Sequence, residues 1–325
     1  MNLAPSEDQQ AIAATAHEFL SKELPISRRR ELAADVDGPS IDEETWTRCA
    51  DLGWLSLGLS EEAGGAGFGL PEEVMLLREF GRHLAPGPFL SSIIGARVAL
   101  AAGASELAQA IASGKRRVGI EVGELAVNVR PGDLILAMDE GSGELFTLTS
   151  VDPIAGIDPG SRLAKFVKGA SVARVADRNI LSRARVLVAA EQLGIIEAVR
   201  DMSAAYAQTR MQFGKPIGSF QAVKHRCADM AVAAYATIGE IFQAALLVDA
   251  GTEDAEFHAA TAYVLATNGA KVSTADNIQN HGGMGFTWEQ DSHLFLKRAL
   301  LLEHILGEQR KAYDAILAPR RHEFT

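Results

Sequence analysis

Cysteine is nearly absent. Cys49 and Cys227 are the two in 325 residues. They can pair only once and lack metal-ligand spacing, which excludes a disulfide framework and a cysteine-built zinc site. Both fall among apolar positions of helical pattern, and the expectation is two small, reduced, buried residues. Aromatic residues are scarce at 6%, and none of the three tryptophans lies between residues 114 and 177. Basic charge is in deficit. A net charge of -11 argues against wholesale nucleic-acid binding, although a few local arginines can still hold an anionic cofactor. No uninterrupted apolar run approaches a membrane span. The opening Met1 to Ser6 leads into Glu7 and Asp8, without the basic-then-apolar order of a secretory signal. A cytoplasmic protein with no membrane and no nucleic-acid partner is expected. Internal repeats and low-complexity tracts are missing too.

What is present is enough apolar sequence, 47%, to bury a large core. Three regions follow from its pattern. Residues 1–113 read as a helical domain: Ser6 with Gln9 is a capping-box candidate, and Ile12, Thr15 or Ala16, and Phe19 recur at helical spacing. Further helices are expected over Glu43–Leu52, Pro71–Leu84 and Phe89–Leu100, with a glycine-rich loop at Glu61–Gly69. Residues 114–177 carry short apolar runs punctuated by Pro131-Gly132 and Glu140–Gly143, the pattern of a small antiparallel sheet domain. Residues 178–325 turn helical again, with long segments near 182–210, 218–249, 253–280 and 288–316. In the first of these, Val186, Leu193, Ile196 and Val199 mark a buried stripe. The fold class is mainly α with a small β domain, ending in a four-helix bundle. The tail Pro319–Thr325 reads as a frayed end.

Two segments carry chemistry. Arg210-Met-Gln-Phe-Gly-Lys-Pro-Ile-Gly-Ser-Phe-Gln221 reads as a helix end, a turn and the next helix start, with Ser219 able to cap the latter. Either Arg210 is a helix C-terminal charge and Phe213 a core anchor at the turn, or Arg210 is a phosphate clamp, since a guanidinium meets phosphate oxygens through paired hydrogen bonds. Gln212 and Gln221 would add neutral polar contacts. Gln279-Asn-His-Gly-Gly-Met-Gly-Phe286 packs glycines densely enough to admit a ligand or a neighbouring helix. His281 has no second ligand at metal spacing, so a packed or hydrogen-bonded histidine is expected.

These segments resemble the signatures of the acyl-CoA dehydrogenase family, as Arg210, Gln212, Phe213 and Gly214, then Phe220 and Gln221, and then Gln279, Gly282, Gly283 and Gly285. Glu61–Gly67, Arg78–Arg82 and Pro86–Phe89 resemble N-terminal family segments. The resemblance implies the same three-part fold. It also implies an FAD whose pyrophosphate and adenine side is reached by Arg210, Gln212, Phe213, Phe220, Gln221, Gln279, Gly282 and Gly283. The family's reaction removes the α-proton of an acyl-CoA thioester with a carboxylate and passes hydride to the flavin.

Here the pattern breaks. The middle-domain stretches that line the flavin ring in the family are unrecognisable between Gly114 and Asp177. Of the family's two positions for the catalytic glutamate, one holds Ala184, before Arg185, and the other Leu306 or Gly307. Glu191 is the leading displaced candidate, with Glu303 and Glu308 behind it. As ordinary helix residues, all three would be solvated or paired with arginine. The resemblance therefore implies the shortened subunit of a heteromeric enzyme acting on steroid side-chain CoA. A longer subunit, in an α2β2 heterotetramer, would supply the glutamate, and an electron-transfer flavoprotein or similar acceptor would take the electrons. The alternatives are a homomeric dehydrogenase using Glu191, or a stabilising subunit without flavin contact.

Overall fold

The computed structural model describes residues 5–35, 38–307 and 309–318. Glu308 and the tail Pro319–Thr325 lie outside that range. Six helices come first: α1 (Glu7–Glu23), α2 (Arg28–Ala34), α3 (Glu43–Asp51), α4 (Leu70–His83), α5 (Phe89–Ala101) and α6 (Ser105–Ala112). The Ser6–Gln9 capping box is in place: Gln9 N–H donates to Ser6 Oγ and Ser6 N–H to Gln9 Oε1. α2 and α6 are short and were not foreseen. An aromatic cluster of Trp46, Trp54, Phe80 and Phe89 fills the space among these helices, with ring centres 4.6–6.3 Å apart.

Five strands follow: β1 (Val118–Val122), β2 (Leu125–Val127), β3 (Leu134–Met138), β4 (Gly143–Ile154) and β5 (Leu163–Val175). They close into a barrel in the order β1-β2-β5-β4-β3. The expected antiparallel sheet needs a correction, because β3 returns beside β1 in parallel register, Val118 opposite Leu134. The connection from β2 is long enough to carry the chain back across the barrel end. It is pinned at Asn128, whose amide donates to the Gly87 carbonyl and whose side-chain oxygen accepts from Arg162 N–H.

The chain then forms α7 (Asn179–Thr209), α8 (Gln221–Ala250), α9 (Ala255–His281), α10 (Ser292–His304) and α11 (Gln309–Leu317). The stripe Val186, Leu193, Ile196 and Val199 is fully buried. The single last segment expected near 288–316 is two helices, separated by a turn containing Gly307 at φ +87°. α7 crosses α4 backbone to backbone. A Cβ on Gly81 would lie 1.9 Å from the Glu191 carbonyl oxygen, and one on Gly194 would lie 1.9 Å from that of Arg78. Beside the crossing, Arg78 forks onto Glu197 at 2.7 Å through both nitrogens.

A further expectation is corrected. Cys49 is buried, but Cys227 is only half-buried. α8 is long and apolar enough by composition to cross a membrane, although Asp229 and Glu240 interrupt its apolar residues. It packs between α7 and α9, burying Met230, Ala234, Ile241 and Phe242 while leaving Val232 and Tyr235 exposed.

Candidate functional site

α7 and α9 run in the same direction, with α8 antiparallel between them, so both motif segments arrive at one end of the bundle. There Ser203 Oγ donates to Asn277 Oδ1 at 2.7 Å, and Tyr206 stacks on His281 with ring centres 4.2 Å apart. Arg226 of α8 reaches Asp276 at 3.4 Å. His281 is a packed histidine, its Nδ1 2.8 Å from the Asn277 carbonyl oxygen. Burial pushes its pKa below the ordinary histidine value.

The first motif folds as a small hairpin of β6 (Met211–Gln212) and β7 (Lys215–Pro216). Its two-residue turn is Phe213-Gly214, with φ +51° and +76°. Positive φ at both turn positions is the type I′ geometry that asparagine and glycine favour and phenylalanine does not. Phe213 is nonetheless 90% exposed, so no core contact offsets its backbone strain. Arg210, Gln212, Gln221 and Gln279 are exposed as well, and Phe220 is half-buried beneath Lys215, whose Nζ lies 4.5 Å from the ring centre. Ser219 does not cap α8. Its hydroxyl donates instead to the Pro216 carbonyl within a 3-10 turn.

The glycines of the second motif separate by role. Gly285 is fixed by packing, since a Cβ there would lie 2.6 Å from the Ile278 carbonyl oxygen. Gly282 is required by its backbone, φ +61° and ψ -143°. Gly283 answers to neither constraint; a Cβ there would meet nothing within 4 Å, and both Gly282 and Gly283 are exposed. The result is an open ledge at the same bundle end as Arg210, which forms no ion pair among the described residues. Such a surface suits a phosphate and a flat ring.

The two positions examined for a base converge elsewhere. Ala184 is buried, while its neighbour Arg185 and Leu306 line one cavity of about 30 Å³ together with Tyr263 and Asp139. That volume holds a water molecule, not a thioester. Asp139 accepts from Gly141 N–H and Ser142 Oγ, and these bonds hold its pKa below the usual range, the opposite of what a base requires. Glu303 is paired with Lys271 at 2.8 Å, and Tyr263 donates to the Glu303 carbonyl.

Glu191 sits in a buried charge network that sequence inspection missed. Arg298 Nε donates to Asp158 Oδ2 at 2.5 Å, and its Nη1 donates to Glu191 Oε1 and the Ala85 carbonyl at 3.0 and 2.9 Å. The link ties the barrel to α7 and α10. Burial raises Glu191 above the usual carboxylate value, and Arg298 opposes this only in part. Burial works the same way on Asp158, but Arg298, Ser161 and Gly160 together outweigh it and hold that carboxyl low. Contacts spanning 107 and 140 residues leave no local sequence signal; only the apolar run around Glu191 hinted at burial.

Comparison with known proteins agrees with this architecture. Residues 6–113 match the acyl-CoA dehydrogenase N-terminal domain and residues 173–314 the acyl-CoA dehydrogenase C-terminal domain. The chain is 35% identical over 305 residues to acyl-CoA dehydrogenase IpdE2 of Mycobacterium tuberculosis, covering 91% of this chain and 92% of that one. It is 30% identical over 310 residues to IpdE2 of Mycolicibacterium smegmatis, covering 94% and 96%. One chain of the ChsE4-ChsE5 complex from Mycobacterium tuberculosis superimposes with a TM-score of 0.83 at 26% identity, covering 99% of each. With both terminal domains matched and these relatives covered almost end to end, this chain belongs to the acyl-CoA dehydrogenase family.

Proposed function

We propose that this chain is the smaller subunit of a heteromeric FAD-dependent acyl-CoA dehydrogenase, working beside a longer family member in an α2β2 assembly. The observation that carries the proposal is the exposed bundle end, which holds a strained, solvent-facing Phe213, an Arg210 without an ion pair among the described residues, and the Gly282–Gly283 ledge. Strain and aromatic exposure of this kind persist where a ligand or partner completes the surface. The exposed Val232 and Tyr235 of α8, with Phe286 and Trp288, extend that apolar surface. Similarity to a chain of a two-protein complex supports a mixed assembly.

In this reading Arg210 clamps the pyrophosphate of FAD, and Gln212, Gln221 and Gln279 meet its polar edges. Phe213 and Phe220 would serve its adenine side, while Gly282 and Gly283 would admit the cofactor close to the backbone. When bound, the flavin accepts hydride from the β-carbon of the acyl-CoA. The α-proton goes to a carboxylate of the partner, because the family positions hold Ala184 and Leu306 or Gly307, while Glu191 and Glu303 are bound to cations and Asp139 is held at low pKa. Steroid side-chain CoA is the substrate class to try first, with an electron-transfer flavoprotein as acceptor.

The test is the flavin-to-chain ratio of the protein purified alone and co-expressed with a longer family member. Little flavin alone, but about one FAD per mixed pair, is the expected result. Arg210→Ala in the complex should then weaken flavin binding by about 1–3 kcal/mol. One FAD per chain in the protein alone would overturn the proposal and return attention to Glu191. An unchanged flavin affinity in Arg210→Ala would instead favour a stabilising subunit.

A further inference from the structure

Away from the bundle end, three donor atoms from two helices converge where α1 packs on α4. His17 Nδ1 lies 3.1 Å from Glu79 Oε2 and 3.0 Å from His83 Nε2, and His83 Nε2 lies 3.7 Å from Glu79 Oε2. Four-coordinate zinc, with bonds of about 2.0–2.1 Å, sets its donors about 3.3 Å apart, and the three separations bracket that value. The in-plane point equidistant from the three atoms is about 1.9 Å from each. Bonds of about 2.05 Å would therefore lift an ion roughly 0.7 Å off their plane, the displacement a tetrahedral centre has toward its fourth ligand.

Ring orientation agrees. Imidazoles aimed at one such ion, with nitrogens this close, have centres about 4.7 Å apart, whereas a head-on pair sits about half an ångström wider. The observed separation is 4.7 Å, at 67° between planes. Access and pre-organisation are both present, since His17 is 54% exposed while Glu79 and His83 are 8% and 13% exposed. Arg82 is the competing charge. Its Nε lies 3.9 Å from Glu79, but its terminal nitrogens are committed to Glu197 and Asp201 at 3.2 and 3.1 Å.

We propose that His17, Glu79 and His83 form a three-ligand site for a divalent transition ion of the zinc type, with water as the fourth ligand, clipping α1 to α4. Two imidazoles with one carboxylate favour zinc and its neighbours over magnesium or calcium. Without an ion, one proton on His17 Nδ1 could satisfy the other two atoms, and that is the competing arrangement.

The deciding experiment is a zinc titration of the chelator-treated full chain, free of any histidine tag, against a chromophoric competitor. One Zn²⁺ per chain with micromolar or tighter affinity is expected, weakened at least about 100-fold in both His17→Ala and Glu79→Gln. His17 is the safer variant because its side chain is half in solvent, and circular dichroism is the check that it folds. Cobalt substitution should give the visible absorption of a four-coordinate ion, lost in the same variants. Absence of stoichiometric zinc binding, or binding that survives His17→Ala unchanged, overturns the site.

Discussion

The helix α7 passes through two opposite neighbourhoods. Along its middle, acids are matched to arginines: Glu191 to Arg298, and Glu197 to Arg78 and Arg82. At its C-terminal end Arg210 meets no acid among the described residues, and the next turn pushes Phe213 into solvent with φ +51°. The first region is paired within the chain, because an unpaired charge is costly once buried, and the buried Arg298 Nη2 is the atom of that guanidinium left without a hydrogen bond. The second gains little from this chain alone. One helix can thus pair its buried charges with arginines while carrying the motif residues at its end out into solvent.

The largest effect is expected from breaking the paired region. Arg298→Met leaves Asp158 and Glu191 buried without their cation and should destabilise the fold by about 3–5 kcal/mol, read from urea unfolding. A small loss would mean that water, or the buried Arg29 close enough to Asp158 to feel its charge, replaces the guanidinium. A smaller effect of opposite sign should come from the outward region. Phe213→Gly removes the left-handed strain without uncovering a core, so the isolated chain should gain up to about 1 kcal/mol in the same assay. Flavin retention by the mixed complex should fall, and a variant that is stabilised but binds flavin normally would separate strain from function.

The smallest effect concerns pH. Burial holds the His281 pKa down, so the folded state prefers the neutral ring stacked on Tyr206. Its contribution is full above the unfolded value of about 6.5 and is lost as pH falls through the lower folded value. Melting temperature should therefore decline from pH 7 toward 5, and His281→Gln should flatten part of that slope. His293, also shifted down by burial, accounts for part of the remainder. A slope unaltered in His281→Gln would place the acid sensitivity elsewhere.

Much of the framework was legible because local rules govern it. The Ser6 cap, the buried stripe of α7 and the packed state of His281 follow from spacing and residue chemistry. The parallel β1–β3 pair was not, because apolar runs reveal strands but not their neighbours. The charge network was hidden for a related reason, as Asp158, Glu191 and Arg298 are joined only by folding. Motif residues could be named from sequence, yet the strain at Phe213 depends on a turn type that phenylalanine does not advertise. The break before α11 was a missed period, since Gly307 was weighed as a base position and not as a helix stop.

The crossing of α4 and α7 has a consequence for which sequences this architecture can accept. Gly81 and Gly194 each sit where one added carbon would lie 1.9 Å from a carbonyl oxygen, a distance no rotamer can relieve. Their neighbours can trade size, polarity or charge and compensate one another, but these two positions have no such freedom. A sequence that drifts widely while holding both glycines keeps the same spacing between its two helices. One that loses either must widen the gap and re-form the Arg78–Glu197 fork beside it.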